Sequence, residues 1–435
     1  MTTIDLTSHV TPPPGRPRTG AMSTRLIGSE ILKIAGEIRE LAAKGKALCD
    51  LTVGDFSAKE FPIPETLITE TIAALRAGHT NYPPSDGVLE LRQAVQEYMA
   101  REYGVSYPLG SVLICGGARP VLYGAYRALL NEGDGVVYPL PSWNNNHYMV
   151  LAGGRGIEVP TSRADGFFPR VEAIKPHLKD ARILFINSPL NPAGTLVGKD
   201  SLTALCDEVL EENRRREAEG RPNLFFMYDQ IYAGLTFGSA RHLCPVALRP
   251  EVARYTVLID GISKVFAATG LRVGWGIGPT DVIDRMKAIL GHVGAWAPRA
   301  EQVATAKLLR QPEVMSEFTV RMRAGVHERL SALHNGIKGL AAAGRPVDAI
   351  EPQGAIYLSV QFNLVGKRTP GGTTLESGES IRKYLLEEAG MAIVPFSAFG
   401  MHSEPTWFRA SVGATNTDSI KALMPRLDAA LAALR

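Results

Sequence analysis

The sequence has few cysteines and no histidine pattern typical of a metal site. Its 435 residues include four cysteines and nine histidines. The cysteines are far apart in the chain, and neither a C-x-x-C nor an H-E-x-x-H pattern occurs. Zinc sites and metalloproteases need such spacings, so no metal is expected. We expect free buried thiols at Cys49, Cys115, Cys206 and Cys244.

Long apolar runs and a strong excess of charge are also missing. No apolar stretch approaches the roughly 18 residues that cross a bilayer, and the first residues lack a basic region ahead of an apolar core. The formal net charge of +3 is too small to indicate binding to nucleic acid or to a membrane surface. The cytoplasm is therefore the expected location, with neither nucleic acid nor membrane as a partner.

The length of the chain predicts two domains and a terminal arm. Residues 1–20 include a proline-rich stretch and predict a flexible arm. From residue 112 onward, short β-rich runs alternate with amphipathic helices, which is typical of an α/β domain with a mainly parallel sheet. We expect this larger domain to span residues 61–309. A smaller α+β domain is expected from residues 21–60 together with residues 310–435.

Hydrophobic periodicity and turn signals place the main elements. In the larger domain we predict strands at residues 112–115, 135–138, 183–187, 224–228, 256–260 and 273–277. In the smaller domain we predict strands at residues 48–53, 355–360, 392–394 and 408–411. The predicted helices include residues 31–43 with Ser29 as the N-cap, 68–75, 121–130, 201–214, one long stretch over 299–343, and a closing helix from Thr417.

Lys264 follows the predicted strand at residues 256–260 and is surrounded by small residues such as Ser263. A lysine in this place is either a surface cation or an amine held in a pocket to attack a carbonyl carbon. Taken alone, the local sequence favours the surface interpretation. The other loops at predicted strand ends reverse that preference.

Three of those loops carry ligand-binding chemistry at the edge where an open α/β sheet binds ligands. Residues 115–120 lead with glycines into a helix, whose free N–H groups attract an anion such as phosphate, although a plain tight turn has the same pattern. Residues 187–194 contain two prolines and present Asn187 and Asn191 in fixed orientations. Asp229 ends an apolar strand, and such a carboxylate needs a cationic partner, of which a protonated pyridine nitrogen is one.

Taken in order, these motifs resemble the fold-type I pyridoxal-phosphate (PLP) enzymes, specifically the class I/II aminotransferases. The likeness runs from about Ser23 to the C-terminus and rests on residues 187–194, 228–232, 263–264 with Arg272, 82–92 and 408–411. It implies an α/β fold whose larger domain has a mainly parallel seven-stranded sheet. It also implies PLP as the cofactor and reversible transfer of an amino group from an L-amino acid to a 2-oxo acid, by a ping-pong route through a pyridoxamine form.

The resemblance implies a role for each residue of the catalytic centre. Lys264 would form a Schiff base with PLP and carry the proton between the substrate and the cofactor. Asp229 would keep the pyridine nitrogen protonated, which makes the ring an electron sink. Tyr232 and Asn191 would donate hydrogen bonds to the ring oxygen, and Trp143 would stack on the ring face.

The remaining implied contacts concern the phosphate and the substrate. Arg272 would hold the phosphate together with Gly117, Ser263 and the backbone N–H groups of Ala118 and Arg119. Tyr82 would reach the phosphate of the neighbouring subunit, which implies a homodimer with shared sites. The substrate α-carboxylate would be clamped by Arg409, with Gly54 and Asn191 assisting.

The substrate is less narrowly defined than the cofactor. Arg119 stands where some dicarboxylate-specific members carry a lysine, so aspartate or glutamate is the favoured donor, with Ser29 as an assisting residue. Alternatively, Arg119 points to solvent and only its N–H group binds phosphate. Trp143, Phe396 and Tyr357 lie near the site by analogy, which keeps an aromatic donor as the second candidate.

Three departures from the family pattern accompany the resemblance. Gly261 replaces a frequent serine and removes one phosphate contact, Phe396 replaces a usual glycine and is expected to narrow the substrate entrance, and the chain between Asp55 and Pro64 is longer. The motifs determine the cofactor and not the bond that is broken, so a lyase, a decarboxylase or a synthase on the same fold is the alternative. A non-catalytic regulator is disfavoured because residues 1–20 are too short for a nucleic-acid-binding module.

Overall fold

Thirteen strands are formed by the residues that this computed structural model describes, namely 3–10, 18–26 and 30–435. In chain order they are β1 (Cys49–Asp50), β2 (Val112–Cys115), β3 (Gly135–Leu140), β4 (Arg155–Pro160), β5 (Ala181–Asn187), β6 (Phe225–Asp229), β7 (Thr256–Gly261), β8 (Gly274–Ile277), β9 (Val347–Ala349), β10 (Tyr357–Phe362), β11 (Met391–Ala392), β12 (Val394–Pro395) and β13 (Trp407–Ser411). Ser29 and the proline-rich residues 11–17 lie outside the described residues.

Seven strands form the large sheet in the order β2-β8-β7-β6-β5-β3-β4. Only β8 runs against its neighbours, and the inner strands β5, β6 and β7 pair in parallel. Their residues are buried along almost the whole strand because helices cover both faces of the sheet. The predicted mainly parallel seven-stranded fold is confirmed, although the edge strand β4 was not among the predicted strands.

The helices of eight residues or more are Glu30–Ala43, Glu65–Arg76, Leu89–Tyr103, Ala118–Leu129, Asn145–Ala152, Val171–Leu178, Lys199–Ala218, Thr280–Val293, Arg299–Leu309, Pro312–Ala342 and Thr417–Ala432. The shorter α-helices are Thr7–Val10, Ala21–Thr24, Pro245–Leu248, Ile262–Val265 and Gly378–Tyr384. The single helix predicted over residues 299–343 is wrong at one point. It is interrupted ahead of Pro312, because proline disfavours helical geometry in the residue before it, and Gln311 has φ −117° and ψ 74°.

The strands outside the large sheet bring the two ends of the chain together. A four-stranded antiparallel sheet has the order β12-β13-β10-β9, and β1 pairs in parallel with β11. The predicted strand at residues 48–53 is only two residues long, because the side chain of Asp50 accepts hydrogen bonds from the N–H and hydroxyl of Thr52. The division into residues 1–20, 21–60 with 310–435, and 61–309 stays a prediction. In the described ranges, no helix is long and apolar enough to span a bilayer.

Candidate active site

A cavity of about 780 Å³ opens at the carboxyl ends of β5, β6 and β7. It collects eleven of the predicted site residues: Gly54, Ala118, Arg119, Trp143, Asn191, Asp229, Tyr232, Ser263, Lys264, Arg272 and Arg409. Parallel strands end at the same edge of a sheet, which is why residues from distant parts of the sequence meet here. Arg409 comes from the other side of the cavity, on β13.

Lys264 is half-buried and lines this cavity, on the one-turn helix that follows β7. Its Nζ donates a hydrogen bond to the backbone oxygen of Gly54 at 2.6 Å. Burial lowers the pKa of the Lys264 amine to about 8, because desolvation disfavours the ammonium form. A substantial fraction of the amine is therefore neutral near pH 7.5 and able to attack a carbonyl carbon.

Gly261, three residues before the lysine, has a steric explanation. A Cβ atom at this position would lie 2.8 Å from both Gly274 Cα and Val273 O on the neighbouring strand. Such contacts are too close for any side chain, so the serine found in related sequences does not fit between these strands. The expected loss of a phosphate contact at Gly261 follows from this close approach of two backbones.

Asp229 ends β6 and is 5% exposed. Its Oδ1 accepts the N–H of Ile231 at 3.1 Å, and its backbone oxygen accepts a hydrogen bond from Asn187 Nδ2 at 2.9 Å. Within the described part of the chain, no lysine or arginine nitrogen lies within the 4.0 Å of an ion pair. Burial raises the pKa of this carboxyl to about 7. A buried carboxylate without a cation suits a ligand that brings one, such as a protonated pyridine ring.

The start of the helix Ala118–Leu129 forms a cationic cradle with Arg272. Gly117 precedes this helix with φ 94°, and a Cβ there would collide with the guanidinium of Arg272. Arg272 donates hydrogen bonds to Thr269 O at 2.7 Å and Gly116 O at 2.9 Å, which hold it across the first turn. Free N–H groups and a guanidinium beside them are the donors that a phosphate group needs.

Arg409 is 1% exposed, and no carboxylate partners it among the described residues. Nη1 donates to Asn191 Oδ1 at 3.1 Å and Nη2 donates to Thr52 O at 2.6 Å, whereas the buried Nε has no partner in the described chain. The guanidinium carbon lies 4.7 Å from the ring centre of Tyr357 and 4.9 Å from that of Phe399. Burial lowers the pKa of Arg409, which shows the cost of keeping this charge unpaired. The arrangement fits a carboxylate ligand.

Arg119, Phe396 and Tyr82 occupy three different positions relative to the cavity. Arg119 is exposed at the mouth of the cavity, with its guanidinium 4.7 Å from the ring centre of Trp143. Phe396 is fully buried against Phe167, at 5.0 Å between ring centres, and does not line the cavity, so the expectation that it narrows the entrance is wrong. Tyr82 is 82% exposed, and its ring contacts Trp296 outside this chain's own cavity.

Several cavity residues were not predicted as site residues. Asn144, beside Trp143, is one of them, whereas Tyr357 was expected near the site and lines the cavity with its hydroxyl 2.6 Å from that of Tyr232. Asp55 and Thr269 lie near Lys264 and share a hydrogen bond of 2.7 Å. One sequence signal was available for Asp55, since it is a charged residue directly after Gly54 at the end of a predicted strand. Ser29 is outside the described residues, so its assisting role stays a prediction.

Residues 46–427 match the family model described as aminotransferase class I and II. The chain belongs to this family. A probable aspartate/prephenate aminotransferase of Rhizobium leguminosarum bv. phaseoli is 31% identical over 87% of this chain and 90% of its own length. An aspartate aminotransferase of Geobacillus stearothermophilus is 31% identical over 92% of this chain and 96% of its own length. The crystal structure of the aspartate aminotransferase from Rhizobium meliloti has a TM-score of 0.87, with 27% identity, and covers 97% of this chain and 100% of that one.

Membership confirms the predicted family, fold type and cofactor. The chain is a PLP-dependent aminotransferase, and its substrates are small amino and oxo acids. The cavity fits PLP on three independent observations, namely the carboxyl of Asp229 without a cation, the cradle at Gly117 and Arg272, and the half-buried amine of Lys264. These contacts occupy three parts of one cavity, as the ring, phosphate and aldehyde of one cofactor require.

The stability of the cofactor-free chain is expected to depend on Asp229. Its pKa in the folded chain, about 7, lies above the ordinary 3.8, so the folded state keeps this proton to a higher pH than the unfolded state. Protonated Asp229 therefore adds to the free energy of unfolding below about pH 4, and this contribution is lost as the pH rises to 7. Asp229→Asn should remove about 3 kcal/mol of the loss between pH 5 and pH 8, because about two pKa units of this shift fall in that range and one unit is 1.36 kcal/mol.

This expectation is checked by urea unfolding of the cofactor-free wild type and variant at pH 5 and pH 8. Asp260 provides a background loss in the wild type, since burial raises its pKa to about 8, and this background is smaller in the variant because the charge of Asp229 contributes to that shift. The same loss of stability between the two pH values in Asp229→Asn and wild type would contradict the account of Asp229 as a buried carboxyl without a partner.

Proposed function

We propose that this aminotransferase takes its amino group from an acidic L-amino acid, aspartate or glutamate. The α-carboxylate of any amino donor would bind the buried guanidinium of Arg409, which faces the same cavity as Lys264 and has no carboxylate partner among the described residues, and the observation that carries the acidic preference is a second guanidinium, that of Arg119, at the mouth of this cavity. A planar guanidinium binds a carboxylate with two parallel hydrogen bonds, which fixes the orientation of the substrate. Gly54 and Asn191 lie beside it and would complete the α-carboxylate site.

Each remaining residue has a proposed task in the reaction. PLP, when bound, supplies an electron sink that stabilises the charge left on the substrate carbon when its proton leaves. Lys264 anchors the cofactor and accepts and returns this proton at Nζ. Asp229 holds a proton on the ring nitrogen, while Tyr232 and Asn191 donate to the ring oxygen. Trp143 covers the ring, and the phosphate is held by Arg272, Ser263, Gly117, Ala118 and the backbone of Arg119.

The preference for an acidic donor rests on Arg119. Its guanidinium lies at the mouth of the cavity over Trp143, within the same cavity as Arg409. Two arginines at separate places in one cavity suit a substrate with two carboxylates. The similar proteins from Rhizobium and Geobacillus are named for aspartate, which supports the same choice.

A homodimer is proposed from the position of Tyr82. This ring is 82% exposed and packs on Trp296, so it is free to reach a second copy of the chain. There it would contact the phosphate site of the partner subunit. A cytoplasmic location is proposed because all four cysteines are free, buried thiols, which suits a reducing compartment.

The test is an absorbance spectrum of the PLP-loaded protein with L-aspartate, L-glutamate or L-phenylalanine and no keto acid. We expect a pyridoxamine band with the two acidic donors, reversed by 2-oxoglutarate. Arg119→Met should slow this change about ten- to hundredfold for the acidic donors, equivalent to about 1.4–2.8 kcal/mol, and leave phenylalanine unchanged. Arg163→Met, at an exposed arginine outside the cavity, is the matched control. Equal losses for all donors, or a faster reaction with phenylalanine in the wild type, would reject the acidic preference.

A further inference from the structure

The carboxylate of Asp55 lines the cavity but has no task in the reaction as proposed above. It lines the cavity beside Gly54, whose backbone oxygen accepts the hydrogen bond from Lys264 Nζ. Its Oδ1 accepts the hydroxyl of Thr269 at 2.7 Å and the N–H of Phe56 at 2.8 Å. Its Oδ2 has no hydrogen bond with a described residue, and the carboxylate lies beyond the 4.0 Å of an ion pair with Lys264 Nζ.

The backbone around Asp55 is tied to the strand that carries Arg409. The oxygens of Thr52 and Val53 accept hydrogen bonds from Arg409 and Ser411, and Ser57 donates to Gly413 O at 3.0 Å. Gly413 must be glycine here, because a Cβ would collide with the backbone oxygen of Asp55. A carboxylate fixed at both its backbone and its Oδ1 is held in one place relative to Lys264.

We propose that Asp55 is a positioning residue for the reaction, whose carboxylate acts from beyond ion-pair distance and stabilises the ammonium form of Lys264 beside Gly54 whenever this lysine is not bonded to the cofactor. The inference rests on the proposed role of Lys264 as the proton carrier. When the substrate carbon loses its proton, the lone pair of Nζ forms the new N–H bond and the electron pair stays with the substrate and cofactor. Asp55 stabilises the positive charge that this transfer creates on Nζ.

Three arginines near Lys264 disfavour its ammonium form, so a nearby negative charge is needed to stabilise that form. Arg409 on β13, Arg119 on the helix that follows β2, and Arg272 ahead of β8 all disfavour a further positive charge, and burial acts in the same direction. Asp55 is the carboxylate that opposes them, while Asp229 lies across the cavity on β6 and is committed to the ring nitrogen.

Two phenols also face the amine from the packed elements. Tyr232 has its ring centre 5.9 Å from Nζ, and its hydroxyl is bonded to that of Tyr357. Burial raises the pKa of both phenols, so they stay neutral and add no charge. Asp55 and Asp229 are thus the negative charges that face Lys264 among the described residues.

The test measures the Lys264 amine directly. The full-length protein with added pyridoxamine phosphate, which leaves Lys264 unbonded, is labelled at pH 6–10 with a neutral acylating reagent, and each lysine peptide is quantified by mass spectrometry. Asp55→Asn keeps the size and the acceptor for Thr269 but removes the charge. Its labelling midpoint at Lys264 should fall by about one pH unit, since an opposite charge nearby shifts a pKa by roughly that amount or more.

Three controls make the result specific. Asp55→Glu should keep the midpoint near that of the wild type, and so should Thr269→Val, which removes the hydrogen bond but not the charge. The partly exposed Lys287, which is paired with Asp284 outside the cavity, should label identically in all proteins. An unchanged Lys264 midpoint in both Asp55→Asn and Asp55→Ser would overturn the inference, whatever the activity of the variants. Failure of the proposed function would appear instead as a wild type that forms no pyridoxamine band with any donor.

Discussion

Replacing Lys264 by alanine is expected to abolish transamination, with turnover falling at least about 10⁴-fold, because a positioned general acid/base alone contributes about 10²–10⁴-fold and the covalent anchor is lost as well. Lys264 is the one lysine among the described residues that line the cavity. No other amine in that set can therefore replace it. The measurements are turnover with aspartate and 2-oxoglutarate, and mass spectrometry after borohydride reduction, which detects PLP fixed to the wild type and not to the variant.

Two further variants separate chemistry from folding. Lys264→Arg keeps a cation in the cavity but has no amine nucleophile, so it should be as inactive as the alanine variant. Lys287→Ala, at a partly exposed lysine outside the cavity, should retain full activity. Substantial turnover in Lys264→Ala, or PLP fixed to another lysine of the wild type, would remove Lys264 from its proposed role and the inference on Asp55 with it.

The fold was predictable where burial leaves a clear mark on the sequence. Strands β5, β6 and β7 are covered on both faces and therefore appear as continuous apolar runs. The edge strand β4 is largely exposed and contains Arg155, Glu158, a glycine and a proline beside its apolar residues. Its sequence therefore has no hydrophobic periodicity from which a strand could be predicted. The break before Pro312 could have been found from the proline alone, since proline is a recognised end of helices.

Cavity residues were predictable where the local sequence contains polar or rigid residues that a loop joining two elements does not require. Asp229 follows an apolar run directly, and residues 187–194 hold two asparagines and two prolines within six positions, so each stood out locally. Asp55 and Thr269 are separated by 214 residues, and their hydrogen bond depends on how β13 and β7 are placed in space. Phe396 shows the reverse case, because its position in the sequence did not reveal that the ring turns into the core against Phe167.

Arg409→Ala is expected to lower kcat/KM by about 30- to 4000-fold for every amino donor, acidic or aromatic. Loss of one partner from a buried, hydrogen-bonded charge pair costs about 2–5 kcal/mol, and 1.4 kcal/mol corresponds to a factor of ten. The effect should not depend on the donor, because every amino acid carries the α-carboxylate that this guanidinium is proposed to bind. Steady-state kinetics with aspartate, glutamate and phenylalanine provide the comparison.

Arg409→Lys distinguishes charge from geometry at the same position. Lysine keeps the positive charge but has no planar fork, so it should recover only part of the loss. Both variants leave Thr52 O and Asn191 Oδ1 without their donor, at a cost of about 1–3 kcal/mol per buried group, so urea unfolding must show that each is still folded under assay conditions. If folded Arg409→Ala loses activity only with acidic donors, Arg409 binds the distal carboxylate instead. The α-carboxylate site would then have to be sought at Arg119, the other arginine that faces the substrate side of this cavity.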